Sequence, residues 1–220
     1  MNFGLAFSFP FQDQEWWKKF LLMGVITLIP VVGQFVLMGW VVQLVRNVIN
    51  DDPTPIPSLD FGGQLGQGFK FFILALVYML PVIILTLPIY IITPIADAAG
   101  MDSDTLGIMM AVVSCLCGGL ALILGLAAAF LIPAGVANMV INDSLGAGLR
   151  VGEVFGLVKA APVAYLIVIV GSIVASLIGS LGTLGCGIGV LLTMPYAQAI
   201  TGHFYAQAYK QAVEAKGSTY

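Results

Sequence analysis

Four stretches of the chain carry no Asp, Glu, Lys or Arg: residues 20–45, 71–96, 105–142 and 160–209, of 26, 26, 38 and 50 residues. Within them the apolar residues run on continuously instead of alternating. A helix crosses the hydrocarbon core of a bilayer in about 20 apolar residues, so each run can span once and the last can span twice. Barrel strands would alternate apolar and polar over about 10 residues and do not fit. The pattern predicts an all-α, polytopic helical membrane protein of five to six membrane helices, built as a single integral membrane domain over residues 1–220.

Proline and glycine place the breaks. Pro30-Val-Val-Gly33 divides the first run into arms of about 15 residues, roughly 22 Å each as helix. Three arrangements fit: a short hairpin or re-entrant pair, which charge placement favours, one Pro-kinked helix, or an in-plane first arm followed by a single span. Pro81, Pro88 and Pro94 predict kinks in the second run. The third run would reach about 55 Å as one helix. It is therefore expected to break near Cys117-Gly-Gly119, to kink at Pro133, or to project into the cytoplasm. Leu181-Gly-Thr-Leu-Gly-Cys-Gly-Ile-Gly189 predicts a turn inside the last run.

Charge sets the expected topology. Hydrophobic residues make up 60% of the chain and charged residues 9%, against roughly 25% charged in a soluble domain. The eight cations are Lys18, Lys19, Arg46, Lys70, Arg150, Lys159, Lys210 and Lys216. Cytoplasmic loops collect Lys and Arg. The segment 97–104 holds three acids and no cation and is expected outside. The links at about 50–69 and 142–159 are then inside, and six crossings leave both termini cytoplasmic in a multi-pass cell (inner) membrane protein. The first residues lack a positive n-region, so the N-terminus is expected to be retained. Trp16, Trp17, Lys18 and Lys19 fit an aromatic and cationic interface anchor. No basic cluster suits nucleic acid.

The chain contains an apparent duplication. Val48-Ile-Asn-Asp-Asp52 recurs as Val140-Ile-Asn-Asp-Ser144, and each is followed by glycine-spaced residues (Phe61-Gly62 to Gly66, Val151-Gly152 to Gly156), a lysine and the next apolar run. This suggests direct repeats over about 15–97 and 105–213. Pro53, Pro55 and Pro57 favour extended, polyproline-like backbone, read as a rigid tether. Phe61, Leu65, Phe69 and Phe72 form one apolar face, suited to an interfacial helix. Gly171, Ala175 and Gly179 share a stripe where two helix backbones can approach, within the chain or in a homodimer.

Few groups can carry chemistry. His203 is the only histidine. Tyr196, His203, Gln207 and Lys210 share one helix face, and an ionisable residue in a membrane helix is a candidate ligand or proton site. Hydrogen bonding and interfacial anchoring explain the same residues. Cys115, Cys117 and Cys186 read as small buried apolar residues; a Cys-x-Cys metal site lacks a second ligand pair, and a disulfide from Cys186 to either of the others stays open. No Walker loop, nucleophile elbow or His-Glu-x-x-His helix is present, so no cofactor, metal or enzymatic activity is expected.

Phe9-Pro-Phe-Gln-Asp13-Gln-Glu-Trp16-Trp-Lys18-Lys, Leu28-Ile-Pro30-Val-Val-Gly33, Leu59-Asp-Phe61 and Gly202-His-Phe-Tyr205-Ala-Gln207-Ala-Tyr209-Lys are similar to an uncharacterised family of prokaryotic polytopic membrane proteins, a domain of unknown function. The resemblance implies an integral membrane protein and supplies no activity. The expected role is a non-catalytic scaffold or accessory subunit of a membrane complex, with the lipid bilayer and membrane proteins or a second copy as partners. A small-molecule or ion transporter or channel with a polar site near His203 is the alternative.

Overall fold

The computed structural model describes residues 1–184 and 189–217, which form helices joined by turns and links, with no strand among them. Two compact units are formed: residues 1–74 with 130–220, and residues 75–129.

The first unit opens with α1 (Phe3–Ser8), a 3-10 turn (Phe9–Gln12), α2 (Trp16–Thr27) and α3 (Val32–Ile49). α2 and α3 fold back on each other, because a γ-turn closes on the Val32 N–H to Pro30 carbonyl bond with Val31 at φ 64. The first run is thus a helical hairpin, and the single kinked helix is excluded. Its arms are unequal. The 12 residues of α2 reach about 18 Å, too short for the hydrocarbon core, whereas α3 has 18 residues.

Two long helices follow, α4 (Phe61–Ala98) and α5 (Ser103–Ile141). The first turns of α4 and the last turns of α5 belong to the first unit. The interfacial helix expected around Phe61–Phe72 is therefore not separate but the start of α4. Pro81, Pro88 and Pro94 all lie inside that continuous helix. Of the three possibilities for the third run, a break at Cys117-Gly-Gly119 is excluded: α5 runs unbroken for 39 residues, with Pro133 inside it. Glycine lowers helix propensity by only about 1 kcal/mol, which flanking apolar residues override.

α6 (Leu145–Gly148) and α7 (Val151–Ala160) precede α8 (Pro162–Leu181). The chain breaks at Ala161, with φ −139 and ψ 62, because the residue before a proline is pushed out of the α region. No proline stands between the glycine-spaced segment and the apolar run in the first half, so there the two fuse into α4. A 3-10 turn (Gly182–Leu184) leads towards α9 (Val190–Gly217). The rest of the expected turn, with Cys186 and its disulfide, lies outside the described residues.

Among the described residues, four helices are long and apolar enough to cross a membrane: Val32–Ile49, Phe61–Ala96, Ser103–Ile141 and Pro162–Leu181. α9 is not among them, yet it is the centre of its unit. α2, α3, α7 and α8 all pack on it, and Ala199, Ile200, Phe204, Ala206, Ala208 and Ala212 are fully buried. A polar helix is tolerated there because protein surrounds it. Gly24 lets α2 approach, since a Cβ would overlap the Leu191 carbonyl. On α8, Gly171 lies against the Phe204 ring, Ala175 is fully buried, and a Cβ at Gly179 would stand 3.2 Å from Ala197. The small-residue stripe thus faces α9 within the chain.

The duplicated motifs end their helices in the same way. Asp51 and Asp143 have φ 56 and 47, the left-handed region that Asp tolerates better than most residues. The Asp52 N–H bonds the Asn47 carbonyl and the Asp51 N–H that of Val48. Ser144 to Met139 and Asp143 to Val140 repeat the pattern. Both are Schellman caps.

Candidate functional site

The polar residues of α9 converge on the N-terminal segment and the first link. Gln207 is bound at both ends by one backbone residue: its Oε1 accepts the Asn2 N–H at 2.7 Å, and its Nε2 donates to the Asn2 carbonyl at 3.1 Å. A backbone donor and a backbone acceptor fix which end of the amide is which. The second Nε2 hydrogen therefore points to His203 Nδ1, 2.8 Å away, and Nδ1 must accept it. The imidazole is consequently neutral, with its proton on Nε2. His203 is buried, and its ring stacks on Phe9 at 4.4 Å between centroids. Tyr196 donates its hydroxyl to the Phe7 carbonyl at 2.9 Å and packs beside Phe11 and Phe20.

The first link lies next to this cluster. The carbonyls of four consecutive residues each receive a side-chain hydrogen bond: Pro55 from Asn47, Ile56 from Lys19, Pro57 from Trp40 and Ser58 from Gln64. Prolines bring no N–H that burial would orphan, so an extended strap can be tied by its carbonyls alone. Lys210 closes the other side, reaching Asp51 at 2.5 Å and the Val48 carbonyl at 3.4 Å.

A cleft of about 210 Å³ opens between these parts, lined by Leu5, Phe9, Gln12, Asp51, Asp52 and His203 among others. Towards it His203 can offer an N–H and no free lone pair. That suits binding an acceptor and suits neither general-base chemistry nor metal ligation. Among the described residues, no three His, Cys, Asp or Glu are grouped to hold a metal ion. A second cavity, about 290 Å³, lies between α8 and α9 beside Ser176, Thr183, Gln198 and Thr201.

Tyr196, His203 and Gln207 are thus brought together, with Lys210 one turn beyond. The four anchor residues part company. Trp17 and Lys18 are exposed, Lys18 lying over the Trp17 ring at 5.8 Å. Trp16 instead packs edge-on against Phe11 and Phe20, and Lys19 pairs with Asp13 at 2.7 Å. Burial works against the Asp13 carboxylate, but the Lys19 ammonium and the Glu15 N–H hold its pKa below the ordinary carboxylate value. Sequence reasoning missed Asn2, Gln12 and the strap carbonyls. Backbone groups carry no residue signature, and Asn2 meets Gln207 across 205 positions.

Residues 22–192 match the model of a family described as proteins of unknown function. The chain belongs to the DUF4013 family. The matched span of this DUF4013 protein takes in α3 to α8. The two segments that meet at His203, residues 9–19 and 202–210, lie outside it. No curated protein and no solved structure matches the chain. The family and the four apolar helices are those of a membrane protein of unknown function.

Proposed function

We propose that this DUF4013 protein is a non-catalytic scaffold or accessory subunit of a membrane complex. The observation that supports it is the surface of residues 75–129. In the most apolar window of α5, only 11% of residues are buried within the chain, and Gly107, Gly118, Gly119 and Gly125 have nothing within 4 Å of a Cβ position. Small residues on an uncovered helix allow another helix to approach closely in lipid. Meanwhile the polar groups around His203 are engaged in holding the chain ends together. Native mass spectrometry of the protein purified in mild detergent tests the reading. A co-purifying subunit or a dimer is expected, lost in Gly118→Leu/Gly125→Leu. A strictly monomeric, partner-free particle overturns it.

The reading includes both termini cytoplasmic in the cell membrane, with the α2–α3 hairpin entering and leaving on the same side, supported by the cation distribution and by the Lys19 bond to the Ile56 carbonyl beyond α3. It also includes a direct duplication, supported by the matched Schellman caps. Transport is the second reading, favoured by the cleft beside His203. Flux into protein-containing liposomes that falls in His203→Ala would select it over the scaffold.

A further inference from the structure

α8 and α9 fix the level at which α7 lies in the bilayer. α8 has 20 residues and as a helix reaches about 30 Å, the thickness of the hydrocarbon core. Its first residue, Pro162, therefore stands at the edge of the core. α8 and α9 run antiparallel, with Gly171 against Phe204 and Gly179 against Ala197. Continued at the same spacing, α9 passes the level of Pro162 at about Val213. Three residues further on, about 5 Å, Lys216 has its Nζ 3.2 Å from the Cβ position of Gly156, in the middle of α7. The headgroup layer is about 5–7 Å deep on each side of the core. α7 thus runs within that layer and does not stand out from the membrane.

α7 carries two apolar faces. Val154 and Leu157 are buried, where α7 packs on α8 and α9. Val151 and Phe155 are apolar too, yet 56% and 57% exposed. At 3.6 residues per turn, Val158, Val151 and Phe155 fall within an arc of about 60°, about a quarter turn from the buried face. Glu153 lies on the side opposite this strip, paired with Arg150 at 3.1 Å. Lys159 borders the strip; it is exposed and is in no ion pair among the described residues. A helix in the headgroup layer meets protein, lipid chains and water. Val154 and Leu157 take the first and Glu153 the last, which leaves the Val151–Phe155 strip for the second. α8 carries exposed Val163, Leu166 and Val170 from its first turn, so lipid contact begins where α7 ends.

We propose that α7 is an interfacial helix that inserts Val151 and Phe155 among the lipid chains and sets the Lys159 ammonium on the lipid phosphates. Phe155 and Lys159 are four residues apart, so ring and ammonium stand one turn from each other on the same side. The lysine stem lies along apolar surface while its charge stays at the headgroups. The partner of the second link is then the bilayer surface itself. This goes beyond the scaffold reading, which rests on residues 75–129.

The test places nitroxides at 151, 153 and 155, one at a time through cysteine, in the full chain with its native cysteines replaced. The protein is reconstituted into vesicles of phosphatidylcholine and phosphatidylglycerol. Collision with oxygen, which concentrates in lipid, is compared with collision with a water-soluble nickel chelate. Labels at 151 and 155 are expected to be oxygen-accessible and nickel-shielded, and the label at 153 nickel-accessible. All three side chains are exposed, so the replacements leave the packing on α9 intact. Lys159→Glu puts a carboxylate among phosphates and should raise nickel access at 155. Nickel access at 155 equal to that at 153 overturns the proposal by putting the strip in water. Shielding from both reagents overturns it by putting protein over the strip. Nickel access at 155 unchanged in Lys159→Glu overturns the phosphate contact.

Discussion

At the scale of single residues, the clearest consequences follow from groups with one admissible state. Gln207 cannot flip without setting Asn2 donor against donor, and this fixes the His203 tautomer. Gln207→Leu removes three hydrogen bonds while keeping bulk. We expect residues 1–12 to become protease-sensitive with helix content unchanged, and stability to fall by about 1–3 kcal/mol, read by limited proteolysis and thermal melting. Asp13 gives a pH signature. Its pKa is depressed in the folded chain, so its contribution is complete above the unfolded value of about 3.9 and is lost as pH falls through the lower folded value. Acid unfolding of Asp13→Asn should lack that component. Val31 is exposed and sits at φ 64 and ψ −60, the rare strained form of γ-turn and an outlier for a β-branched residue. Val31→Gly should stabilise the hairpin by about 1 kcal/mol, measured as a rise in melting temperature.

At the scale of elements, helix ends and close approaches decide more than helix propensity does. The strap 50–60 holds its place through carbonyls bound by α2, α3 and α4. Trp40→Phe removes one of these bonds, to Pro57, and leaves a void where the fully buried indole was, so a loss of about 2–3 kcal/mol is expected by thermal unfolding. The glycines separate in the same way. Gly39→Ala would force a Cβ into the Gln64 backbone and cost about 1–3 kcal/mol or more. Gly107→Ala has open space and should be neutral or stabilising by up to about 1 kcal/mol. The fused α4 and the broken α7–α8 differ by one proline. Its effect was readable in the sequence, but only once the two segments were recognised as comparable.

At the scale of the whole molecule, topology is the testable consequence. In a background with the native cysteines replaced, cysteines at 102, 54 and 152 should report from opposite sides: the first from outside, the others from the cytoplasm. Positions 54 and 152 are exposed, whereas Ile56 in the same link is buried and would not label from either side. Labelling of 102 from the cytoplasm alone would invert the orientation.

The runs of uncharged residues by themselves determined the membrane class, the helical class and the break at Pro30–Gly33, because each depends only on local composition and on bilayer thickness. Tertiary structure decided the rest. Whether glycines interrupt α5, whether 61–72 is its own helix, and whether the Gly171 stripe faces the chain or lipid all depend on which surface lies opposite. The site shows the same division. Tyr196, His203 and Gln207 were visible as one helical face, since spacing alone places them. The partners of Gln207 and Tyr196 are backbone atoms of Asn2 and Phe7, 205 and 189 positions away. A hydrogen bond depends on the atoms that meet, and only the fold says which atoms those are.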